Sequence, residues 1–178
     1  MTKIEFILYN KKRIKIEIIS IKKNMGKSDA VKVAAKNLET DILFLCDGDL
    51  HNFKEEHIKQ ILKPFEYETV AMSVGIRDYG YVMNLLSKYF IPLLSGESAL
   101  SYSIFKDTIQ NPLMKDYGLE LVLNDYCKRK NIPVHKNIMA GLSQTVKYKK
   151  WKNGGLSFVN TNITTYFTYA NIKYKENY

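Results

Sequence analysis

Apolar and β-branched residues partly alternate with polar ones in Ile4-Glu5-Phe6-Ile7-Leu8 and in Ile14-Lys15-Ile16-Glu17-Ile18-Ile19, with Asn10-Lys11-Lys12 between them. That pattern predicts two strands joined by a turn. The period then changes: after Gly26-Lys27-Ser28, the residues Ala30, Val31, Ala34, Ala35 and Leu38 recur at helical spacing. Asp41 leads into the continuous apolar run Ile42-Leu43-Phe44-Leu45-Cys46, which predicts a buried strand ending at Asp47. A second helix is expected from Asn52 to Phe65, with Asn52 as N-cap, Glu55 three residues on, and Ile58, Ile61, Leu62 and Phe65 on one stripe; Pro64 sits near its end. A strand at Thr69 to Val74 and a helical stretch from Tyr81 to Phe90 follow, then a turn at Ser95-Gly96-Glu97. A helix from about Gly118 to Lys130, a short strand around Val134 to Met139 and an aromatic-rich tail complete the chain. Strands alternating with helices of this length predict an α/β fold. Its sheet is partly parallel and covered on both faces, and its ligands bind beyond the carboxyl ends of the strands.

At 178 residues with 46% hydrophobic content, the chain has material for one domain and little room for a second. The net charge of +9 is spread from Lys3 to Lys175, which suits a phosphorylated ligand, an anionic membrane surface or nucleic acid, and equally a merely lysine-rich solvated surface. Cys46, within the apolar run, and Cys127 are too few and too far apart for a metal cluster or a disulfide framework, so free thiols are expected. No secretory leader is visible at Met1-Thr2-Lys3-Ile4-Glu5. Tyr81 to Leu94, interrupted by Lys88 and Pro92, is far short of the roughly 20 apolar residues of a membrane span. The expected location is cytoplasmic, with peripheral membrane contact conceivable.

Candidate chemistry concentrates at the strand end. Asp47-Gly48-Asp49 places two carboxylates one residue apart, a plausible grip for a divalent ion carrying phosphate oxygens, although Asp-Gly is also a common hairpin signal. Gly26-Lys27-Ser28 is not a P-loop, because Ile21 stands where that motif needs glycine. It leaves a glycine and a lysine at a helix start, suited to an anionic group or to nothing more than an ordinary exposed beginning. Glu120 falls off the apolar stripe of Leu119, Val122, Leu123 and Tyr126, so its local context reads as a solvated first-turn acid. His51, His57 and His135 lack metal-ligand spacing, and Trp151 with Tyr148 is a weak signal for sugar, base or lipid contact.

Taken in order, Asn24-Met25-Gly26-Lys27-Ser28-Asp29-Ala30, Asp41 to Leu50, Ser95-Gly96-Glu97-Ser98-Ala99 and Tyr117-Gly118-Leu119-Glu120 resemble the motifs of GT-A glycosyltransferases. The likeness is to family-two-like enzymes and to the glucosyl-3-phosphoglycerate synthase and mannosylglycerate synthase group, over roughly Lys15 to Lys150. It implies a three-layer, Rossmann-like mixed sheet in a single domain spanning residues 1–178, N-terminally shortened, with a core at about 13–150 and an aromatic, lysine-rich extension over 151–178. It also implies transfer of a sugar from a nucleotide-sugar donor, with Asp47 and Asp49 holding Mg²⁺ or Mn²⁺ against the diphosphate. Lys27 would lie near the nucleotide, Gly96, Glu97 and Ser98 would face donor sugar or acceptor, Arg77 would contact phosphate, and Glu120 would be the catalytic residue at the sugar.

The chain departs from that pattern at its start. Tyr9-Asn10 is followed by Lys11-Lys12 rather than by an acidic residue, and no aspartate precedes Asp29, so the motifs that hold base and ribose are missing. The stretch comparable to a late metal-binding histidine reads Gly141-Leu142-Ser143-Gln144-Thr145-Val146-Lys147. The expected partners are therefore a nucleotide sugar, a phosphorylated, lipid-linked or saccharide acceptor, and a second copy or partner subunit that completes the nucleotide site. The alternative is a degenerate relative acting as a non-catalytic binding module. Nucleic acid is disfavoured for want of a recognised motif.

Overall fold

The computed structural model describes residues 2–10, 13–67, 70–77, 95–115 and 118–144. The expected helix at Tyr81 to Phe90, the Tyr81 to Leu94 segment as a whole and the tail with Trp151 lie outside these residues.

Strands β1 (Thr2–Asn10) and β2 (Arg13–Ile21) form an antiparallel hairpin in register Asn10↔Arg13 to Thr2↔Ile21. Both expected strands are present, each longer than its alternating core, and together they make a two-stranded sheet of their own. Helix α1 (Lys27–Ala35) follows, then β3 (Ile42–Leu45), the short β4 (Leu50–His51), α2 (Glu55–Leu62), α3 (Pro64–Tyr67) and β5 (Met72–Arg77). The remaining elements are β6 (Ser98–Ser101), α4 (Tyr102–Thr108), α5 (Gly118–Arg129), β7 (Val134–Met139) and β8 (Ser143–Gln144).

The central sheet has the order β3-β6-β5-β7. β6 runs antiparallel to both β3 and β5, while β5 and β7 are parallel. β3, β5 and β7 thus share one direction, and the amino end of β6 lies at the edge where β3 and β5 end. Alternation sorts the side chains onto two faces. Leu43, Met72, Val74 and Leu100 pack with Ala35, Ile104, Phe105, Leu119, Val122 and Leu123, so α1, α4 and α5 cover one face. Ala99, Met139, Ile42 and Phe44 pack with Ile61, Leu62 and Phe65, so α2 and α3 cover the other. This is the three-layer mixed α/β fold that the motif order implied.

Four boundaries differ from expectation. The strand expected at Thr69 to Val74 is β5, Met72–Arg77: Met72 to Ile76 are buried, and pairing with β7 carries the strand through Gly75 and Ile76 to Arg77. Asn52 takes a left-handed backbone, φ 60°, instead of capping α2, whose N-cap is Lys54. The His57 ring closes that end, accepting the Lys54 N–H at Nδ1 (3.2 Å) and donating from Nε2 to the Ala140 carbonyl (3.1 Å). Pro64 opens a separate turn of helix rather than lying inside α2. Cys46 stands just beyond β3 and is exposed, not inside the strand; both cysteines are free thiols.

Candidate functional site

Five segments deliver charged side chains to the carboxyl edge of the sheet. Asp47 follows β3, Arg77 ends β5, Glu97 precedes β6, Lys27 begins α1 and Glu120 lies in the first turn of α5. The chain enters α1 through Gly26, whose φ of 81° is unfavourable for any residue with a β-carbon, and Asn24 Oδ1 accepts the Gly26 N–H at 3.1 Å. That turn sets Lys27 at the head of the helix. The neighbouring Ser28 is fully buried, and its hydroxyl accepts the Leu119 N–H at 3.2 Å. A serine of α1 thus satisfies one of the amides that the first turn of α5 leaves open, and it ties the two helix starts together.

Lys27 Nζ lies 2.8 Å from Asp47 Oδ1 and 2.6 Å from Glu120 Oε1. Burial alone would push its ammonium toward neutrality, but the charges of Glu120 and Asp47 outweigh that and hold its pKa well above lysine's ordinary value. Arg77 Nη2 reaches the other oxygen of Asp47, Oδ2, at 3.5 Å and Glu97 Oε1 at 3.1 Å. The result is one network, Glu120–Lys27–Asp47–Arg77–Glu97, in which two cations face three carboxylates and leave one net negative charge.

Gly96 is required beside it. A β-carbon there would overlap the Asp47 carboxylate, so only glycine leaves the aspartate its place. Glu97 is completely buried and Ser98 nearly so. The Ser95 hydroxyl sits between the Gly75 carbonyl and Glu97 Oε2, 2.9 Å from the latter, and accepts the Glu97 N–H at 3.2 Å. Cys46 lies on the rim, its thiol pushed up to about 12 by desolvation first and then by the Glu97 and Asp47 charges. Because the residue is exposed, the carboxylates are the firmer part of that cause.

The structure thus brings Lys27, Asp47, Arg77, Gly96, Glu97 and Glu120 into one cluster, with Ser98 opening β6 beneath it. The solvated reading of Glu120 does not hold: the residue is 8% exposed and paired with Lys27. The exposed-lysine reading of Lys27 fails for the same reason. Asp49, half-buried, occupies the turn between Gly48 and β4. Leu50 and His51 pair with Gln144 and Ser143, so the stretch that carries no late histidine lies next to the Asp49 turn. Among the described residues, no group of three or more His, Cys, Asp or Glu side chains could hold a metal. Ser28 and Ser95 were not singled out as site residues, although both stand inside or beside the quoted motifs; a hydroxyl's partner is set by tertiary contact, which spacing does not encode.

The cluster lies at the carboxyl edge of the sheet, where open α/β sheets bind their ligands. The chain belongs to glycosyl transferase family 2, whose family model matches residues 7–120. It is similar in fold to solved structures of glucosyl-3-phosphoglycerate synthase from Mycobacterium tuberculosis. The complex with Mn²⁺, uridine diphosphate and phosphoglyceric acid matches with a TM-score of 0.56 and 18% identity, over 68% of this chain and 46% of that one. The complex with Mg²⁺ and uridine diphosphate matches with a TM-score of 0.56 and 19% identity, over 70% of this chain and 48% of that one. The chain therefore spans about half the length of the synthase it matches. No curated protein matches the sequence. Among the described residues no helix is long and apolar enough to cross a membrane.

Proposed function

We propose that this chain binds a nucleotide sugar and transfers its sugar, with Asp47 and Asp49 taking a divalent ion and the donor's diphosphate. The convergence of Lys27, Asp47, Arg77 and Glu120 from four elements on one sheet edge carries this reading. The donor set fits Mg²⁺ or Mn²⁺, which bind through one or two carboxylates and complete their shell with water and substrate phosphate. With no third protein ligand among the described residues, the ion and the nucleoside diphosphate are expected to bind together. When bound, the ion neutralises charge on the departing diphosphate.

Lys27 and Arg77 hold Asp47 from its two oxygens and stand ready to take phosphate oxygens instead, Lys27 as a mobile point charge and Arg77 as a planar fork. Glu120 serves the sugar end, as base for the acceptor hydroxyl in an inverting reaction or as a positioning group in a retaining one. The synthase complexes contain uridine diphosphate, UDP-glucose and phosphoglyceric acid, which makes a uridine donor and a phosphorylated acceptor the first to try.

Calorimetry with UDP or UDP-glucose and Mn²⁺ tests this. Binding by the unaltered chain, and its loss in Asp47→Asn and Asp49→Asn, is the expected outcome; the same affinity in both variants would remove the metal role. The second reading, a binding module without catalysis, is favoured by the pairing of Asp47 with both Lys27 and Arg77. Donor binding without turnover by the chain alone would select it.

A further inference from the structure

Glu97 is the acidic residue of the motif expected to face the donor sugar, yet its carboxylate is completely buried. Both of its oxygens face Arg77 Nη2, at 3.1 and 3.4 Å, and Oε2 also lies 2.9 Å from the Ser95 hydroxyl. Its backbone is fixed as well: the Gly75 N–H donates to the Glu97 carbonyl at 2.8 Å, locking residue 97 across from the strand that ends in Arg77. A carboxylate sealed this way has no path to a sugar hydroxyl. What it can do is set the direction of the one guanidinium it holds, and that guanidinium is only 15% exposed and reaches Asp47 at 3.5 Å.

We infer that Glu97, steadied by Ser95, is a positioning residue that aims Arg77 at Asp47 and at the diphosphate subsite beside it, and is not a sugar contact. The subsite rests on the proposed transferase reading; the aiming of Arg77 does not. The chemistry supports this division. Arginine is the side chain suited to bidentate contact with phosphate, but its long stem must be held for the fork to be useful. A buried carboxylate on Nη2, the nitrogen that also reaches Asp47, supplies that hold. Asp47 is then gripped by Lys27 on Oδ1 and Arg77 on Oδ2, which keeps the carboxylate in the place that Gly96 leaves open.

Two experiments separate the parts. The first needs no ligand: urea midpoints are compared for Glu97→Gln in the unaltered chain and in Arg77→Met. With Arg77 present, the change removes its partner and the midpoint falls. In the Arg77→Met background the buried carboxylate has lost its cation, so the same change raises the midpoint. An equal shift in both backgrounds would overturn the relay through Arg77.

Should Arg77→Met not fold, Arg77→Lys replaces it, and Glu97→Gln is then expected to cost less than with arginine, because the lysine chain ends one bond short of the position Nη2 takes between Glu97 and Asp47; an equal cost would again overturn the relay. The second experiment measures affinities for UDP and UDP-glucose with Mn²⁺ in Glu97→Gln and Glu97→Asp. Both affinities are expected to fall by the same factor, about tenfold in Glu97→Gln and less in Glu97→Asp, leaving their ratio unchanged. A loss confined to UDP-glucose would make Glu97 a sugar contact and sink the inference. If neither ligand binds the unaltered chain, the transferase reading and the diphosphate part of the inference fail together, while the urea comparison still decides whether Glu97 aims Arg77.

Discussion

Lys27 shows how far a residue's meaning depends on its partners. A lysine three residues past an asparagine turn is ordinary in sequence, but here its ammonium bridges carboxylates that are 20 and 93 residues away in the chain. Its folded pKa lies above the ordinary 10.5, so its contribution to stability is complete below pH 10.5 and is lost as pH rises through the folded value. Urea midpoints should therefore fall on the alkaline side above pH 10.5, and Lys27→Met should flatten that fall while destabilising the protein at pH 7 by roughly 2 kcal/mol, short of a fully buried pair because Lys27 is partly exposed. An unchanged alkaline limb in Lys27→Met would show that another group carries it. Cys46 reports on the same field. With its thiol pushed up to about 12, it should alkylate slowly at pH 8 although exposed, and faster in Asp47→Asn; mass spectrometry after iodoacetamide treatment reads the difference directly.

Helix starts and strand ends position this site, and their legibility in the sequence was uneven. The run Ile42 to Cys46 and the stripe Leu119 to Tyr126 announced β3 and α5, because burial on one strand and one helical face leaves a local period. β5 was displaced by three residues, since its last residues toward Arg77 depend on pairing with β7, some sixty residues on. β6 and α4 left no clear period at all: Ser98-Ala99-Leu100-Ser101 is a short central strand flanked on both sides, and Ser101 to Thr108 begins its helix without a break. The motif residues were legible as a set, yet their grouping into cations and carboxylates was not. Ser28 illustrates why, since its role is to cap a helix ninety residues away. Ser28→Ala should cost about 1 kcal/mol, the usual loss for a capping hydroxyl, and lower the thermal midpoint without altering the fold seen by circular dichroism. Gly96→Ala should behave differently. The Asp47 carboxylate can swing away from the added β-carbon, so the loss is expected in UDP binding, by more than about tenfold, with a smaller change in stability.

The whole chain carries a net charge of +9, while the paired groups at its candidate site carry two cations against three carboxylates. These two facts pull in opposite directions on an anionic donor. The overall field draws a nucleoside diphosphate toward the protein, and salt should slow that approach because exposed charges are screened beyond a Debye length of roughly 10 Å at 0.1 M. At contact the proposed donor would meet paired groups that sum to one negative charge before Asp49 is counted, with both cations committed to carboxylates at 2.6 to 3.5 Å. A divalent ion held at Asp47 and Asp49, as proposed, would offset that negative charge and free Lys27 and Arg77 for phosphate. Removal of metal with EDTA should therefore weaken UDP binding by about ten- to a hundredfold, or ~1.4 to 2.8 kcal/mol, while added salt at saturating Mn²⁺ should change the association rate more than the dissociation rate. Calorimetry with and without EDTA measures the first and stopped-flow fluorescence the second. Equal affinity in EDTA would mean that Lys27 and Arg77 neutralise the diphosphate by themselves, and the aspartate pair would then be holding the two cations rather than a metal.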